Sequence, residues 1–248
     1  SGQALAPLIS AFLILPFGMY GASLVLILTA IGIFMLTKIA IWYRKQLEEE
    51  KLSKVKKVLV SSLPPLTKKQ VGIALSLLLV IIFARSFYVT NITNFYVFYL
   101  IEEYGLTIEK GQLLIFLFMA FGVVGTFFGG SLSDRIGRKN VILLSVVVPI
   151  PLCLVLPYVP LWLVVILLII IGSLIMISFS VTVVYAQELV PTKIGTMAGL
   201  TVGLAFGMGA IGSVLIGILM DKIGIETTMM IISALPILML VALALPRD

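Results

Sequence analysis

Long apolar stretches, separated by short polar segments, make up most of the 248-residue chain. A helix that crosses a bilayer needs roughly 20 apolar residues at about 1.5 Å of rise per residue. By this measure the pattern predicts eight transmembrane segments, at residues 2–17, 20–43, 71–101, 111–130, 140–158, 161–186, 196–220 and 225–246. Each is predicted to be helical because hydrocarbon offers no water to an unpaired backbone. The predicted fold class is therefore an all-α membrane protein.

One long polar segment, residues 44–70, interrupts this pattern. Its apolar residues fall near one helical face, with glutamates and lysines around the rest: Leu47, Leu52, Val55 and Leu59. That arrangement is typical of a surface helix at the level of the lipid headgroups. Pro64 and Pro65 then break the helix. The segment is predicted to link two helical bundles, which divides the chain into residues 1–43, 44–70 and 71–248.

The composition excludes an ordinary soluble domain. Apolar residues make up 61% of the chain and charged residues 11%, with a mean hydropathy of +1.23, whereas about 25% of a soluble domain is charged. Histidine is absent and Cys153 is the single cysteine, so imidazole catalysis, His-ligated metal sites and a disulfide within one chain are excluded. With no nucleophile–base set or metal cluster in view, the protein is not expected to be an enzyme. The net charge of +6 resides in loops and forms no pattern typical of a nucleic-acid surface.

Lysine and arginine are concentrated in alternate loops. The segment 44–70 carries eight of them, and the loops after the fourth and sixth predicted spans carry Arg135, Arg138, Lys139 and Lys193. The remaining loops carry only Lys110 and Lys222. Because positively charged loops stay on the cytoplasmic side, residues 44–70 are predicted to be cytoplasmic. The protein is expected to be a multi-pass protein of the cell inner (plasma) membrane.

The loop after the fourth predicted span has a distinctive order. Residues 130–139 read Gly-Ser-Leu-Ser-Asp-Arg-Ile-Gly-Arg-Lys. Gly130 and Gly137 permit a close backbone approach and a tight turn, and Asp134 can cap a helix N-terminus. Arg135 adds positive charge where cytoplasmic charge is expected. The order Gly-x-x-x-Asp-Arg-x-Gly-Arg-Lys resembles the cytoplasmic loop signature of the major facilitator superfamily of secondary transporters.

The resemblance extends beyond this loop. Residues 217–224 repeat the pattern in shorter form, as Gly-Ile-Leu-Met-Asp-Lys-Ile-Gly. Residues 83–100, 184–191 and 203–209 are similar to the fosmidomycin resistance branch of the superfamily, which exports a phosphonate antibiotic. Superfamily members have two six-helix halves. The resemblance therefore implies helices five to twelve: the last two helices of an N-terminal bundle, a linker, and a complete six-helix C-terminal bundle.

Arg85 lies near the middle of a predicted span. A central membrane arginine costs at least about 2.5–3.5 kcal/mol on insertion scales, so it is expected to face a cavity or a partner. Helical spacing puts Tyr88, Phe95 and Tyr96 near its face. We predict that these four residues bind an anionic substrate such as a phosphonate, whose oxygens match the guanidinium donors. The alternative is a permanent pair between Arg85 and a carboxylate or carbonyl of the absent half.

Glu188 ends the sixth predicted span on the same side of the membrane as the loop 130–139. In the resembled fold these ends lie close together, so Asp134, Arg138 and Glu188 are expected to form a network that latches the cytoplasmic side. The alternative is that Glu188 is simply solvated. The predicted latch residues are Gly130, Asp134, Arg135, Gly137, Arg138 and Glu188.

Glycines recur every fourth residue in the seventh predicted span. Small residues at this spacing let helices touch closely, with sliding during transport as a second interpretation. The glycines in question are Gly195, Gly199, Gly203 and Gly207, followed by Gly209, Gly212 and Gly217.

The spans, the charge bias and the loop order favour a secondary active transporter that works by alternating access. The resemblance implies an antiporter for drug efflux, exporting a small anionic drug such as fosmidomycin in exchange for protons and so conferring antibiotic resistance. The alternatives are a facilitator-type importer or exchanger of other organic anions, and a non-transporting membrane receptor or scaffold.

The expected partners are an anionic small molecule, the lipid bilayer and protons as the coupling ion. No acidic residue lies deep in a predicted span, so either a coupling carboxylate belongs to the absent helices or the protein is not proton-coupled. The protein is expected to be a monomer, with no cofactor, no metal and no nucleic-acid partner.

Overall fold

The structure is a computed structural model that describes Pro7, Phe12, Pro16, Tyr20, residues 29–44 and residues 67–245. All regular elements in these ranges are helical, which confirms the predicted all-α fold class. Residues 29–44 form helix α1, which overlaps the second predicted span and extends one residue beyond its end. The first predicted span and the linker lie largely outside the described residues, so the division into two bundles stays a prediction.

Residues 67–245 contain six helical segments that are long and apolar enough to cross a membrane, in agreement with the six spans predicted from residue 71 onward. The helices are α2 (Lys68–Tyr104), α3 (Ile108–Ile136), α4 (Arg138–Val147), α5 (Pro149–Val155), α6 (Leu161–Leu189), α7 (Ile194–Ile223) and α8 (Ile225–Ala234). Short 3₁₀ segments follow α5 and α6, at Leu156–Tyr158 and Pro191–Lys193, and a longer one, Leu235–Ala244, follows α8. Pro149 separates α4 from α5 within one span, because proline lacks the N–H that would continue the helix.

Local sequence signals set both ends of α2. Thr67 is its N-cap and forms a capping box with Gln70, whose side chain accepts a hydrogen bond from the Thr67 backbone N–H at 2.9 Å. Gly105 ends the helix in the left-handed conformation, with φ of 61°, and its N–H bonds back to the carbonyl of Ile101. A helix of 37 residues is about 55 Å long and therefore extends beyond a hydrocarbon core about 30 Å thick.

The repeated loop pattern gives two corners of the same geometry. Gly137 follows α3 with φ of 87°, and Gly224 follows α7 with φ of 82°. Each glycine N–H bonds to the carbonyl four residues earlier, of Ser133 at 3.1 Å and of Met220 at 3.0 Å, and a new helix starts at the next residue. Only glycine adopts this backbone conformation without strain. The tight turn predicted at Gly137 is confirmed.

Helices α3 and α6 touch backbone to backbone. A Cβ atom on Gly125 would lie 2.1 Å from the Ser173 carbonyl oxygen, and one on Gly129 would lie 2.4 Å from the Ile177 carbonyl oxygen. The Thr126 hydroxyl also donates across the contact, to the Met176 carbonyl at 3.2 Å. Small residues of this kind let membrane helices approach closely and gain van der Waals contact.

Two expectations about glycine differ from the structure. Gly130, and the four glycines at residues 195, 199, 203 and 207, have nothing within 4 Å of the position of a Cβ atom in the described part of the chain. Gly129 makes the close approach expected of Gly130, since the next residue of a helix points about 100° away. On α7 the glycines with the closest contacts to described residues are Gly209 and Gly212, which continue the predicted series and pack against Thr90 and Phe87 of α2.

The buried apolar side chains form two clusters along the length of the bundle. One contains the half of α2 from Phe87 to Leu100, together with parts of α3, α6 and α8. The other contains the half of α2 from Ala74 to Ala84, together with α4 and the end of α6. Arg85 lies on α2 at the boundary between the two clusters. The apolar packing is therefore interrupted at the level of the arginine.

We expect Gly125→Ala to lower the free energy of unfolding by about 1–3 kcal/mol, because the new Cβ cannot fit unless α3 and α6 move apart. Gly130→Ala is the matched control, since it is a glycine of the same helix with open space around it among the described residues. Thermal unfolding of the full-length protein in detergent measures both variants. Equal destabilisation by the two substitutions would contradict the backbone contact.

Candidate functional site

A cavity of about 1150 Å³ lies between α2, α3, α6 and α7. Helix α2 contributes most of the polar lining of the cavity, with Arg85, Ser86, Thr90, Thr93 and Asn94. It also contributes the apolar Val89. Four phenylalanines from the other helices, Phe118, Phe127, Phe179 and Phe206, supply aromatic walls. Gln112, Thr126 and Ser213 add neutral polar groups. The lining is therefore apolar with a few polar groups, as is usual in small-molecule sites.

Arg85 is 2% exposed and reaches the cavity from the packed side of α2. Its Nη1 donates a hydrogen bond to the Thr182 hydroxyl on α6 at 3.2 Å. The guanidinium carbon lies 5.0 Å from the centre of the Phe179 ring, within the range of a cation–π interaction. Among the described residues no carboxylate pairs with this cation. The guanidinium therefore keeps donors for another acceptor, since it has five N–H groups.

The three aromatic residues predicted to share a face with Arg85 do not line the cavity. Tyr88 and Tyr96 are 0% and 1% exposed and belong to the apolar cluster that also contains Cys153. Phe95 packs against the same cluster, near Gly217 of α7. The structure does not bring these residues together with Arg85 in the cavity wall, which is a correction to the face predicted from helical spacing.

The physical reason is rotational. At about 100° per residue, the α2 residues that line the cavity are centred roughly 90° around the helix from Arg85. Tyr88 and Phe95 lie on the other side of Arg85 from this stripe. Arg85 itself starts at the edge of the stripe, and its long side chain carries the charge into the cavity. The sequence signal that would locate the stripe is the run of Ser86, Thr90, Thr93 and Asn94.

Arg138 and Glu188 form an ion pair at the loop that is predicted to be cytoplasmic. The Nη2 atom of Arg138 lies 2.5 Å from Oε1 of Glu188, and the two side chains are only 18% and 9% exposed. Arg138 is the first residue of α4 and Glu188 lies one residue before the end of α6. The pair therefore joins the ends of two different spans, as the sequence predicted.

The other predicted members of the latch are placed differently. Asp134 and Arg135 are exposed, and neither forms an ion pair in the part of the chain that the structure describes. Asp134 also does not cap α4, because the N-cap of that helix is Gly137 and no side chain caps it. Both residues precede the corner at Gly137, whereas Arg138 follows it, so the turn directs them to different surroundings. Gly130 lies in α3, away from the corner.

Comparison with known proteins agrees with this architecture. The family model described as Major Facilitator Superfamily matches residues 1–202. The chain belongs to the major facilitator superfamily. It is 48% identical over 250 residues to the protein named "Uncharacterized MFS-type transporter YfnC" of Bacillus subtilis (strain 168), and 38% identical over 247 residues to the protein named "Fosmidomycin resistance protein" of Escherichia coli (strain K12). Both matches cover 100% of the chain and 60% of the relative, so the chain spans less than two thirds of either relative's length.

One residue of this superfamily member has a role that the charge pattern did not indicate. Lys139, the last residue of the loop signature, donates from Nζ to the Leu243 carbonyl at 3.3 Å and to the Leu245 carbonyl. These carbonyls belong to the end of the 3₁₀ segment Leu235–Ala244, where backbone acceptors lack helical partners. A cation at a helix C-terminus is also favoured by the helix dipole. Lys139 therefore fastens the last span to the start of α4.

We expect Lys139→Met to speed hydrogen exchange across residues 239–245 by about threefold to tenfold, because losing hydrogen bonds from a charged donor leaves these carbonyls unpaired. Arg135→Met, which removes a nearby exposed charge, is the matched control. Hydrogen–deuterium exchange with mass spectrometry on the full-length protein measures the effect. Identical exchange in the two variants would show that the cap does not hold the segment.

Proposed function

We propose that the full-length protein containing this chain exports small organic anions by alternating access, in exchange for protons. The observation that carries the proposal is Arg85, a buried cation with free donors that lines a cavity and lies near the middle of a long apolar helix. Placing an arginine there is costly unless the site binds negative charge. The named function of the Escherichia coli relative supports a phosphonate antibiotic such as fosmidomycin as the substrate.

The neutral groups around Arg85 fit this substrate class. Thr182 orients one edge of the guanidinium, and Phe179 covers its face, so the remaining donors point in a limited range of directions. A phosphonate or carboxylate can accept two parallel hydrogen bonds from such a group. In the described lining no acidic side chain competes with the substrate for the cation. Binding of the anion is therefore expected to depend mainly on this one residue.

The rival functions differ in what moves and in which direction. Proteoliposomes that contain the full-length protein and an outward substrate gradient separate a transporter from a receptor or scaffold, which would give no flux. Imposing a pH gradient then separates an exporter in exchange for protons from an importer or an anion exchanger. Proton coupling needs a titratable group in the pathway, and the described spans carry their acidic residues only near their ends. The coupling carboxylate would therefore have to come from elsewhere in the protein.

Arg85→Gln is expected to lower kcat/KM for a phosphonate substrate by about tenfold to a hundredfold, since hydrogen bonds to charged groups contribute about 1.5–3 kcal/mol. Lys193→Gln, which removes an exposed charge from a loop, is the matched control for expression and assembly. Counterflow of radiolabelled phosphonate in proteoliposomes measures both. Transport by the Arg85 variant at the control rate would reject anion binding by Arg85.

We also propose that the Arg138–Glu188 pair acts as a latch at the cytoplasmic side. The pair can form only while the start of α4 and the end of α6 are close. A partly exposed ion pair contributes roughly 1 kcal/mol, and about 1.4 kcal/mol changes a two-state ratio tenfold. A bond of this size is enough to bias the balance between inward-open and outward-open states without locking either.

Arg138→Ala is expected to slow turnover more than it weakens substrate binding, and to raise the inward-open population severalfold. Arg135→Ala is the matched control, since it removes the same charge from an exposed position outside the pair. Spin-label distances between the cytoplasmic ends of α4 and α6, measured with turnover and substrate affinity, test the proposal. An unaltered distance distribution with normal turnover would leave Arg138 as a topology signal only.

A further inference from the structure

The cavity has a second polar region farther along α2 than Arg85, toward the C-terminal end of that helix. Asn94 donates from Nδ2 to the Ser213 hydroxyl on α7 at 2.9 Å, and Ser213 donates to the Gly209 carbonyl at 3.2 Å. Gln112 of α3 lines the same cavity. We propose that Asn94, Gln112 and Ser213 form a subsite for the uncharged, hydrogen-bonding end of an elongated organic anion whose charged head binds Arg85. The inference rests on the proposed function for the charged head.

Packing contacts place the three residues at one level of the bundle. A Cβ on Gly111 would lie 3.0 Å from Val97, so Gln112, its neighbour in α3, is near the level of Asn94. Gly209 of α7 packs against Thr90, which places Ser213, one turn later, beside Asn94. Asn94 comes nine residues after Arg85, so the two levels are about 13 Å apart along α2. A substrate that reaches both must be elongated.

The wall between the two polar regions is mixed, since Thr90 and Thr93 of α2 line the cavity there beside apolar side chains. Val89, Phe118, Met119 and Gly122 line the intermediate part of the cavity. A hydrocarbon spacer would be stabilised there, since burial of each methylene contributes about 0.8 kcal/mol. The cavity therefore combines a cationic end, a middle that carries both apolar side chains and threonine hydroxyls, and a neutral polar end.

The chemistry of the neutral end selects for groups that both donate and accept hydrogen bonds. The Asn94 carbonyl oxygen and the whole Gln112 amide have no hydrogen-bond partner among the described residues. Amides of this kind bind a carboxamide or hydroxyl well. In the described lining Arg85 is the only charged side chain, so a second anionic group at this end would be desolvated without a counterion. The subsite is expected to admit monoanions and reject substrates charged at both ends.

Replacing Gln112 distinguishes a role of the subsite in ligand binding from a role in holding the helices together. Asn94 and Ser213 hydrogen-bond across two helices, so their removal could loosen the bundle. Gln112 makes no such contact in the described part of the chain, so replacing it removes no hydrogen bond between the described residues. Ser180→Ala is the matched control, because Ser180 bonds across from α6 to the Thr126 carbonyl and is not among the cavity-lining residues.

The experiment uses alkylphosphonates of increasing chain length, each ending in a methyl, a carboxamide or a carboxylate, with the full-length protein in proteoliposomes. At the matching length, the carboxamide probe should have a KM about threefold to tenfold below that of the methyl probe. Gln112→Leu should remove this advantage by raising the KM of the carboxamide probe to that of the methyl probe or above it, while Ser180→Ala should preserve the advantage. The carboxylate probe should be rejected by the unmodified protein and accepted by Gln112→Lys.

The outcomes distinguish this inference from the proposed function. Equal KM values for methyl and carboxamide probes at every length, or equal effects of Gln112→Leu on both, would overturn the second subsite while leaving anion export intact. Failure of the unmodified protein to transport any phosphonate, or transport that ignores Arg85→Gln, would instead overturn the proposed function. A carboxylate probe transported as well as the carboxamide would overturn the predicted selection for monoanions.

Discussion

The constraint on which this structure depends is that hydrocarbon provides no hydrogen-bond partners. Some hydroxyls inside the spans are satisfied locally, as those of Thr93 and Thr201 are by donating to the carbonyl four residues earlier in their own helix. A guanidinium cannot be satisfied in this way, because its five donors spread beyond the reach of one helix turn. Arg85 uses Thr182 and Phe179 and leaves donors over. The bundle can therefore accommodate Arg85 because a cavity lies beside its guanidinium.

The contact between α3 and α6 gives that cavity a firm wall. Because Gly125 and Gly172 bring the two backbones together, neighbouring residues of both helices are held in fixed relative positions. Gly122 and Met176, which face each other across this contact, both line the cavity. Phe179, the ring over Arg85, lies one turn along α6 from Met176. The backbone contact thus positions the aromatic group that covers the cation, and links helix packing to the geometry of the site.

The sequence predicted what depends on local chemistry. Span positions followed from apolar length and the corner at Gly137 from the conformational freedom of glycine, whereas the pairing of Arg138 with Glu188 followed from the resembled fold, in which these span ends lie close together. The rotational orientation of each helix about its axis was harder to predict from the sequence. An amphipathic pattern is weak when the lipid, the protein core and the cavity are all largely apolar. Arg85 was used to define the cavity face although its side chain is long enough to reach there from the edge. Tyr88 and Tyr96 were assigned to the cavity face because Arg85 was used to define that face. The spacing of glycines on α7 could not show which neighbouring helix packs against each face of α7.

The three basic residues of the loop signature show why charge alone is an incomplete guide. The positive-inside rule depends only on how many basic residues a loop carries and on the side of the membrane where the loop lies. By this rule Arg135, Arg138 and Lys139 are equivalent. The turn at Gly137 makes them different. Arg135 precedes the turn and is exposed, whereas Arg138 and Lys139 follow it and meet the ends of two other spans, through Glu188 and the carbonyls after α8. A substitution that keeps the charge count but shifts a residue across the turn would keep the topology signal and lose the contacts. Order along the loop, not net charge, therefore determines how this end of the bundle is held together.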